Sequence, residues 1–322
     1  MTMLSAPDFR YKKLIVVFLN RGEKVSFLND NLVVKDKEGK VKHQSTCFRL
    51  FAVFLVGQFT LTTGIIQRAK RFGFSIVLMT GGLRVYEVFA NCAEGNTLLR
   101  EKQYFYEGFD LAKYIVSEKI DSQIAAIRKA RQGGTLAKEV CSRLKTYQSQ
   151  LPELTSLKSI LGTEGVASKE YFQQIFCEYN WKGRQPRIKA DTINSLLDLG
   201  YTLLFCFIEA LLNCYGFDLY KGVYHQQFYK RKSLVCDLVE PFRSLIDYQL
   251  RRMYRLGQVD EQDFFVDNHS YRIKYKASPK YTALMMEPLI KNKDEIFLFI
   301  QQYYRSFMRN KDLSDYPHFN FA

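Results

Sequence analysis

The hydrophobic period of this chain changes once, near residue 97, and no other feature narrows its possible folds as much. Before that point the pattern is one of short strands. Leu14 to Leu19 is an apolar, β-branched run, Lys24 to Leu28 alternates, and Asn29-Asp30-Asn31 supplies turn chemistry ahead of Leu32 to Val34. Arg49 to Val56 reads as a buried strand. Leu61 to Phe72 is helical, with Ile65, Ile66 and Ala69 on one face, and Phe74 to Met79, Gly81-Gly82 and Val85 to Phe89 predict a hairpin. Beyond Thr97 the period is helical. Leu111, Tyr114, Ile115, Ile120, Ile124 and Ile127 share a face, and Ile193 to Leu211 and Leu234 to Leu256 repeat the pattern. Arg272 to Lys276 suits a short hairpin edge and Thr282 to Met308 one final helix. The expectation is an α+β chain: a β-rich, sandwich-like region over residues 1–97, then an all-α region over residues 98–322. No Pro- or Gly-rich linker parts the two, so they should abut.

A chain of 322 residues is long enough to bury a sizeable core. Its 47 Lys and Arg against 33 Asp and Glu leave a net charge of +14, which favours polyanionic partners over acidic or neutral ones. The surplus is clustered: Arg68, Lys70 and Arg71; Arg128, Lys129 and Arg131; Lys182, Arg184, Arg187 and Lys189; Lys230, Arg231 and Lys232; Arg251, Arg252 and Arg255. With 26 Phe and 21 Tyr in the same chain, nucleic acid is the favoured polyanion, since bases stack on rings. The seven cysteines form no CxxC pair, which argues against a disulfide framework or zinc knuckle and for a reducing, cytoplasmic compartment. The first ten residues lack a signal-peptide pattern. Leu50 to Ile66 and Tyr201 to Phe217 are interrupted by polar residues and fall short of the roughly 20 apolar residues a span requires, so no membrane segment is expected.

Among the four histidines, His225 is distinguished by two acids downstream of it, Asp237 and Glu240, at i and i+3 of a helix that Ser233 is placed to cap. Pro241 comes directly after them, where it deprives the Asp237 carbonyl of an amide donor at a cost of about 3 kcal/mol. Glu164 lies between Gly162 and Gly165, at what reads as a first helical turn. One imidazole with two or three carboxylates is a hard N/O set that suits Mg²⁺ or Mn²⁺ better than structural zinc. The same residues also suit a solvated helix face, with Arg243 pairing Glu240 at i+3, and a structural histidine.

Leu161-Gly162-Thr163-Glu164-Gly165-x-Ala167, Asp191-x-x-Asn194-x-x-Leu197-x-x-Gly200-Tyr201, Gly222-x-x-His225 and Ser233-Leu234-x-x-Asp237-Leu238-x-Glu240-Pro241-Phe242-Arg243 resemble, in order and spacing, the CRISPR-associated adaptation integrase. This family is the universal endonuclease and integrase of spacer acquisition. The helices bearing Gln103, Lys119 and Gln123 and the β-rich opening are similar to it too, with the N-terminal half most like members beside type V systems. The resemblance implies a β-sandwich dimerisation domain and an α-helical catalytic domain. It implies Mg²⁺ or Mn²⁺ held by Glu164, His225 and Glu240, with Asp237 completing the site or orienting His225. Its DNA substrates are a captured fragment (the protospacer) and the CRISPR repeat, joined by direct 3′-OH attack on a phosphodiester. Its partners are a second copy of the chain, the second universal adaptation protein (a small ferredoxin-like dimer) and an end-processing nuclease. Arg184, Arg187, Lys230, Arg231, Arg243 and Arg252 are the candidates for phosphate contacts. A tyrosine recombinase is excluded because the residues after His225 lack its Arg or His, and a P-loop enzyme because no Gly-Lys-Ser/Thr occurs. The alternative from another class is a non-catalytic, basic nucleic-acid-binding module.

Overall fold

The computed structural model describes residues 4–131, 134–185 and 188–321. After a short helix α1 (Ala6–Arg10), strands β1 (Lys13–Leu19), β2 (Lys24–Leu28), β3 (Asn31–Lys35), β4 (Val41–Thr46) and β5 (Leu50–Gly57) lead to helix α2 (Thr63–Phe72) and strands β6 (Ser75–Met79) and β7 (Val85–Phe89). One sheet has the order β1-β5-β6-β7, parallel except for the β6–β7 hairpin; the other is the antiparallel meander β2-β3-β4. Strand β5 explains why the two halves abut. Its Val53 and Leu55 enter a small core with Leu32, Val34, Ile65 and Phe74, while Phe54 and Val56 enter the main core with the helices. Both faces are covered, so the run is continuously apolar rather than alternating. Strand β4 was not expected: Val41 to Thr46 carries no apolar alternation because it lies at a sheet edge and buries only Ser45.

The helical region comprises α3 (Thr97–Phe105), α4 (Asp110–Lys129), α5 (Thr135–Gln150), α6 (Leu157–Ile175), α7 (Thr192–Tyr215), α8 (Ser233–Val239) and α9 (Arg243–Arg255). The hairpin β8 (Phe264–Asp267) and β9 (Ser270–Ile273) comes next, then α10 (Ser278–Lys291) and α11 (Lys293–Met308). The region is thus helical apart from one hairpin. The single final helix expected from Thr282 to Met308 is two helices. Pro288 brings no amide to the Leu284 carbonyl, which accepts instead from Gln249 Nε2 at 2.9 Å, and the chain turns at Asn292. Among the described residues, α7 alone is long and apolar enough to cross a membrane, but 78% of its apolar window is buried inside the fold. It is the central core helix. A Cβ on its Gly200 would lie 2.3 Å from Ile246 Cγ2, so glycine there lets α7 and α9 approach closely. Among the described residues the cysteines form no disulfide.

Candidate functional site

Four segments meet at one place: α4, α6, the loop before α8, and the junction of α8 with α9. Pro241 makes that junction. The helix cannot continue through it, so Glu240–Phe242 tighten into a 3₁₀ turn and the Asp237 carbonyl takes the Glu240 amide. Ser122 of α4 donates to the Pro241 carbonyl at 2.7 Å and accepts from Ser244 at 2.9 Å, which pins the turn to α4. Ser233 is not the N-cap expected for α8. It is the first helical residue, with Lys232 at the cap, and its hydroxyl donates to the Gln226 carbonyl at 3.1 Å.

Asp237 is fully buried and acts through its neighbours. Its oxygens accept from the backbone amides of Val223 (2.6 Å), Tyr224 (3.1 Å) and His225 (2.7 Å). The oxygen that accepts the His225 amide is also 2.7 Å from the His225 Nδ1, so that nitrogen donates to it and Nε2 is the ring nitrogen left for another partner. This close wrap of loop around carboxylate requires Gly222, where a Cβ would lie 2.7 Å from Asp237 Oδ2. Of the two roles open to Asp237, the geometry is that of orienting His225.

Glu164 is in the middle of α6, not in a first turn. Ser156 caps the helix eight residues earlier by accepting from the Ser159 amide at 3.1 Å. The helix-dipole argument for Glu164 therefore falls away, and a Cβ at Gly162 or Gly165 would meet nothing within 4 Å, so these glycines mark open space rather than close approach. Ser168, one turn on, donates to Glu164 at 2.6 Å. Across the gap stands Lys119 of α4, whose ammonium contacts the Glu164 carboxylate and lies 2.7 Å from Glu240 Oε2. Glu240 also pairs with Arg243 at 3.1 Å, as the i+3 spacing allows, but it is buried, not on a solvated face. Burial pushes the Glu240 pKa up; the charges of Arg243, Lys119 and His225 outweigh that and hold it at about 2. Burial likewise depresses the Lys119 pKa, and Glu240 and Glu164 more than reverse it, so the ammonium stays charged.

The structure thus brings Glu164 and Glu240 to a single cationic point and sets His225 alongside, through Tyr224. The Tyr224 hydroxyl is 3.5 Å from Glu164 Oε2 and its ring 4.8 Å from the imidazole. Among the described residues no three His, Cys, Asp or Glu side chains are grouped closely enough to share an ion as they stand; an ammonium occupies the middle. The site opens into a cavity of about 540 Å³ lined by Lys119, Gln123, Trp181, Arg184, Tyr201 and Asp247 as well as both glutamates. Beneath it Asp247 accepts from the Tyr171 (3.0 Å) and Tyr201 hydroxyls, and burial raises its pKa to about 6.

The basic candidates separate. Arg184 and Arg243 line this cavity, and both stack over Tyr201, at 5.4 and 4.8 Å. Lys230 and Arg231 line an adjoining groove of about 1140 Å³ together with Arg84, Lys189 and Arg272. Arg252 reaches neither; its guanidinium pairs with Glu287 at 3.0 Å on another face. Arg187 lies outside the described residues. The site residues not assigned a role from sequence are Lys119, Ser168, Tyr201 and Asp247. A signal existed for the first: Lys119 and Gln123 fall on the same face of α4 as Ile115, Val116, Ile120 and Ile127, so they are polar groups at buried positions.

Comparison with known proteins gives the family and the fold. Residues 16–287 match the family profile of "CRISPR associated protein Cas1". The "CRISPR-associated endonuclease Cas1 1" of Thermodesulfovibrio yellowstonii is 30% identical over 267 residues, covering 79% of this chain and 84% of the relative. Two solved structures share the fold, each with a TM-score of 0.78. A chain of a Cas6-RT-Cas1–Cas2 complex is 23% identical over 97% of this chain and 36% of that longer one. A casposase bound to integration product is 19% identical over 96% and 94%.

Proposed function

The chain belongs to the CRISPR-associated protein Cas1 family, and on that premise we propose that it is a divalent-metal-dependent DNA endonuclease and integrase that inserts captured DNA into a CRISPR array. One observation carries the reading: two carboxylates from separate helices, Glu164 and Glu240, are held about a single buried cation position beside an imidazole whose Nε2 is left free. The residues fit Mg²⁺ or Mn²⁺. The donors are hard oxygens and one nitrogen, and the Lys119 ammonium, 2.7 Å from the buried Glu240 Oε2, stands in for a cation between the carboxylates. Glu164, His225 and Glu240 would hold the ion, which supplies Lewis-acid stabilisation of charge on the phosphoryl group.

The chain's own residues do the rest. Asp237 keeps His225 in one tautomer and orientation. Lys119 neutralises Glu164 and Glu240 in the ion's place, and Arg184 and Arg243 set positive charge at the cavity wall where a phosphate enters. The oxygen of a DNA 3′-OH attacks the repeat phosphorus, the bond from phosphorus to the old 3′ oxygen breaks, and that oxygen leaves as a new 3′-OH after taking a proton. No side chain becomes bonded to DNA. The substrates are double-stranded protospacer and repeat DNA. A second copy of the chain, the second universal adaptation protein and an end-processing nuclease complete the assembly. The relative in the Cas6-RT-Cas1–Cas2 complex supports the Cas2-type partner.

The test is strand transfer of a 3′-OH fragment into a supercoiled plasmid bearing a repeat. EDTA and Glu164→Ala are each expected to abolish it. Retention of joining in both would overturn the metal-dependent reading, and binding of DNA with no joining by the wild-type chain in Mg²⁺ or Mn²⁺ would leave the alternative, a basic binding module in which Lys119 merely neutralises two structural carboxylates.

A further inference from the structure

Three helices meet at one carboxylate beneath the cavity. Asp247 of α9 is 1% exposed, and each of its oxygens accepts from a tyrosine: Oδ2 from Tyr171 of α6 at 3.0 Å, Oδ1 from Tyr201 of α7. The cations around it are paired elsewhere, Lys119 with both glutamates, Arg243 with Glu240 and Arg184 with Asp198. A buried carboxylate with no cation of its own is costly, so its place needs a reason. Spacing along the helices suggests one. Asp247 is one turn after Arg243, and Tyr171 is two turns after Glu164. The carboxylate thus links the helix that bears Glu164 to the helix that bears Arg243, with Tyr201 standing between them at the cavity wall.

Tyr201 is also where two positive charges converge. The guanidinium carbon of Arg243 lies 4.8 Å from its ring centre and that of Arg184 lies 5.4 Å from it. The two arginines come from separate segments: Arg243 opens α9, and Arg184 lies between α6 and α7. Like charges repel, and an aromatic ring, negative at its faces, is a surface that both can share. Each guanidinium has one further support, Arg184 donating to Asn194 at 3.0 Å and Arg243 lying 3.1 Å from Glu240. The ring is the support they have in common. Its own hydroxyl points away from them, inward to Asp247, so the ring is held from below.

Building on the DNA-joining reading, we propose that Tyr201 is a positioning residue for the joining step: its ring holds the Arg184 and Arg243 guanidiniums at one spacing, so that both bear on the same phosphate, and Asp247 holds the ring. The phosphate under attack gains charge on its non-bridging oxygens, and two cations already in place stabilise that charge without having to move. Loss of the ring leaves both charges in the chain but out of register. The role is therefore one of rate, with little effect on how tightly DNA is held.

The experiment is a double-mutant cycle on strand transfer at saturating DNA, joined to the guanidinium Nε–H resonances of arginine-labelled protein without DNA or metal. Tyr201→Leu should slow joining about 30-fold, and Tyr201→Phe, which keeps the ring and loses its anchor, about fivefold. In an Arg184→Gln or Arg243→Gln background the Tyr201→Leu change should cost only about fivefold, because one of the two groups it acts through is already gone. Thermal melting verifies that each variant is folded; if Tyr201→Leu is not, Tyr201→Phe carries the cycle, its loss shrinking to within about twofold. DNA affinity in EDTA should stay within about threefold across the Tyr201 variants, since no charge is removed. The Arg184 and Arg243 resonances, displaced by the ring, should shift in Tyr201→Leu and hold in Tyr201→Phe. An additive cycle, full joining by Tyr201→Leu, or resonances indifferent to the ring would overturn the positioning role alone. Failure of the wild-type chain to join DNA in Mg²⁺ or Mn²⁺ would instead overturn the reading on which that role rests.

Discussion

The β-rich and helical regions treat polar side chains in opposite ways. Between β1 and β7 the buried polar residues, among those described, are Ser45 and Ser75. The helices bury Lys119, Glu209, Asp237, Glu240, Asp247 and Arg251. A charge taken out of water is expensive unless paired, and here each has partners: Lys119 with both glutamates, Arg251 with Glu178, Glu209 with Lys232. The difference teaches where the chain keeps its chemistry. One region has an apolar interior; the other carries a charged interior that packing by itself would not select.

Four measurements sharpen or break that contrast. The largest effect should come from Glu240→Ala, with a loss of strand transfer on the order of 10³-fold in a chain that still folds, since charge placed for the transition state is removed. Survival of activity would mean that this buried charge is structural. Next is Leu55→Ala in the core between the sheets, expected to lower unfolding free energy by about 2–5 kcal/mol in denaturant titration while the folded fraction keeps its specific activity. If activity per folded molecule fell in step with stability, the two regions would not be separable in this way.

Asp247→Asn tests the charged interior through pH. The folded-state pKa of Asp247 is raised to about 6, so the folded chain holds its proton more tightly than the unfolded chain does. The stability this gives is present below pH 4 and is lost as pH rises through about 6. Unfolding free energies should therefore show the wild type losing about 3 kcal/mol relative to Asp247→Asn between pH 4 and pH 7. Parallel curves would contradict the burial argument. The smallest effect is assigned to Lys119→Met. Freed of their ammonium, Glu164 and Glu240 should take up Mn²⁺ about tenfold more tightly by calorimetry, a gain of roughly one pKa-unit's worth of charge interaction. Weaker uptake would show that Lys119 assembles the site rather than standing in its place.

Much of the fold was legible because its elements advertise themselves locally. The apolar run of β5 and the five-turn pattern of α7 both depend on residues within a few positions of one another, whereas the helical pattern from Leu234 to Leu256 did not show that the chain breaks at Pro241. What escaped was what local pattern does not encode. Strand β4 is made by its neighbour β3 and not by its own composition. The cap at Ser156 was hidden because Gly162 and Gly165 suggested a helix starting later, though both tolerate the helix by facing open space. At the site, Glu164, His225, Asp237 and Glu240 were recognisable as residues from the resemblance of their motifs. Arg252 was grouped with the phosphate candidates on charge alone, and in the structure it pairs with Glu287 of α10 instead of lining the cavity.

The order of residues along the chain determined the change of period near residue 97, hence a β-rich part followed by helices, and it determined which acids and which histidine were available. Only the folded chain decided their roles. Asp237 became the holder of His225 because a loop wraps three amides onto its carboxylate, and Glu164 and Glu240 became a pair because Lys119 arrives between them from a third helix. The physical reason is one of range. Backbone geometry imposes periodicity on near neighbours, whereas a buried charge is set by whichever partner the packing of distant helices delivers.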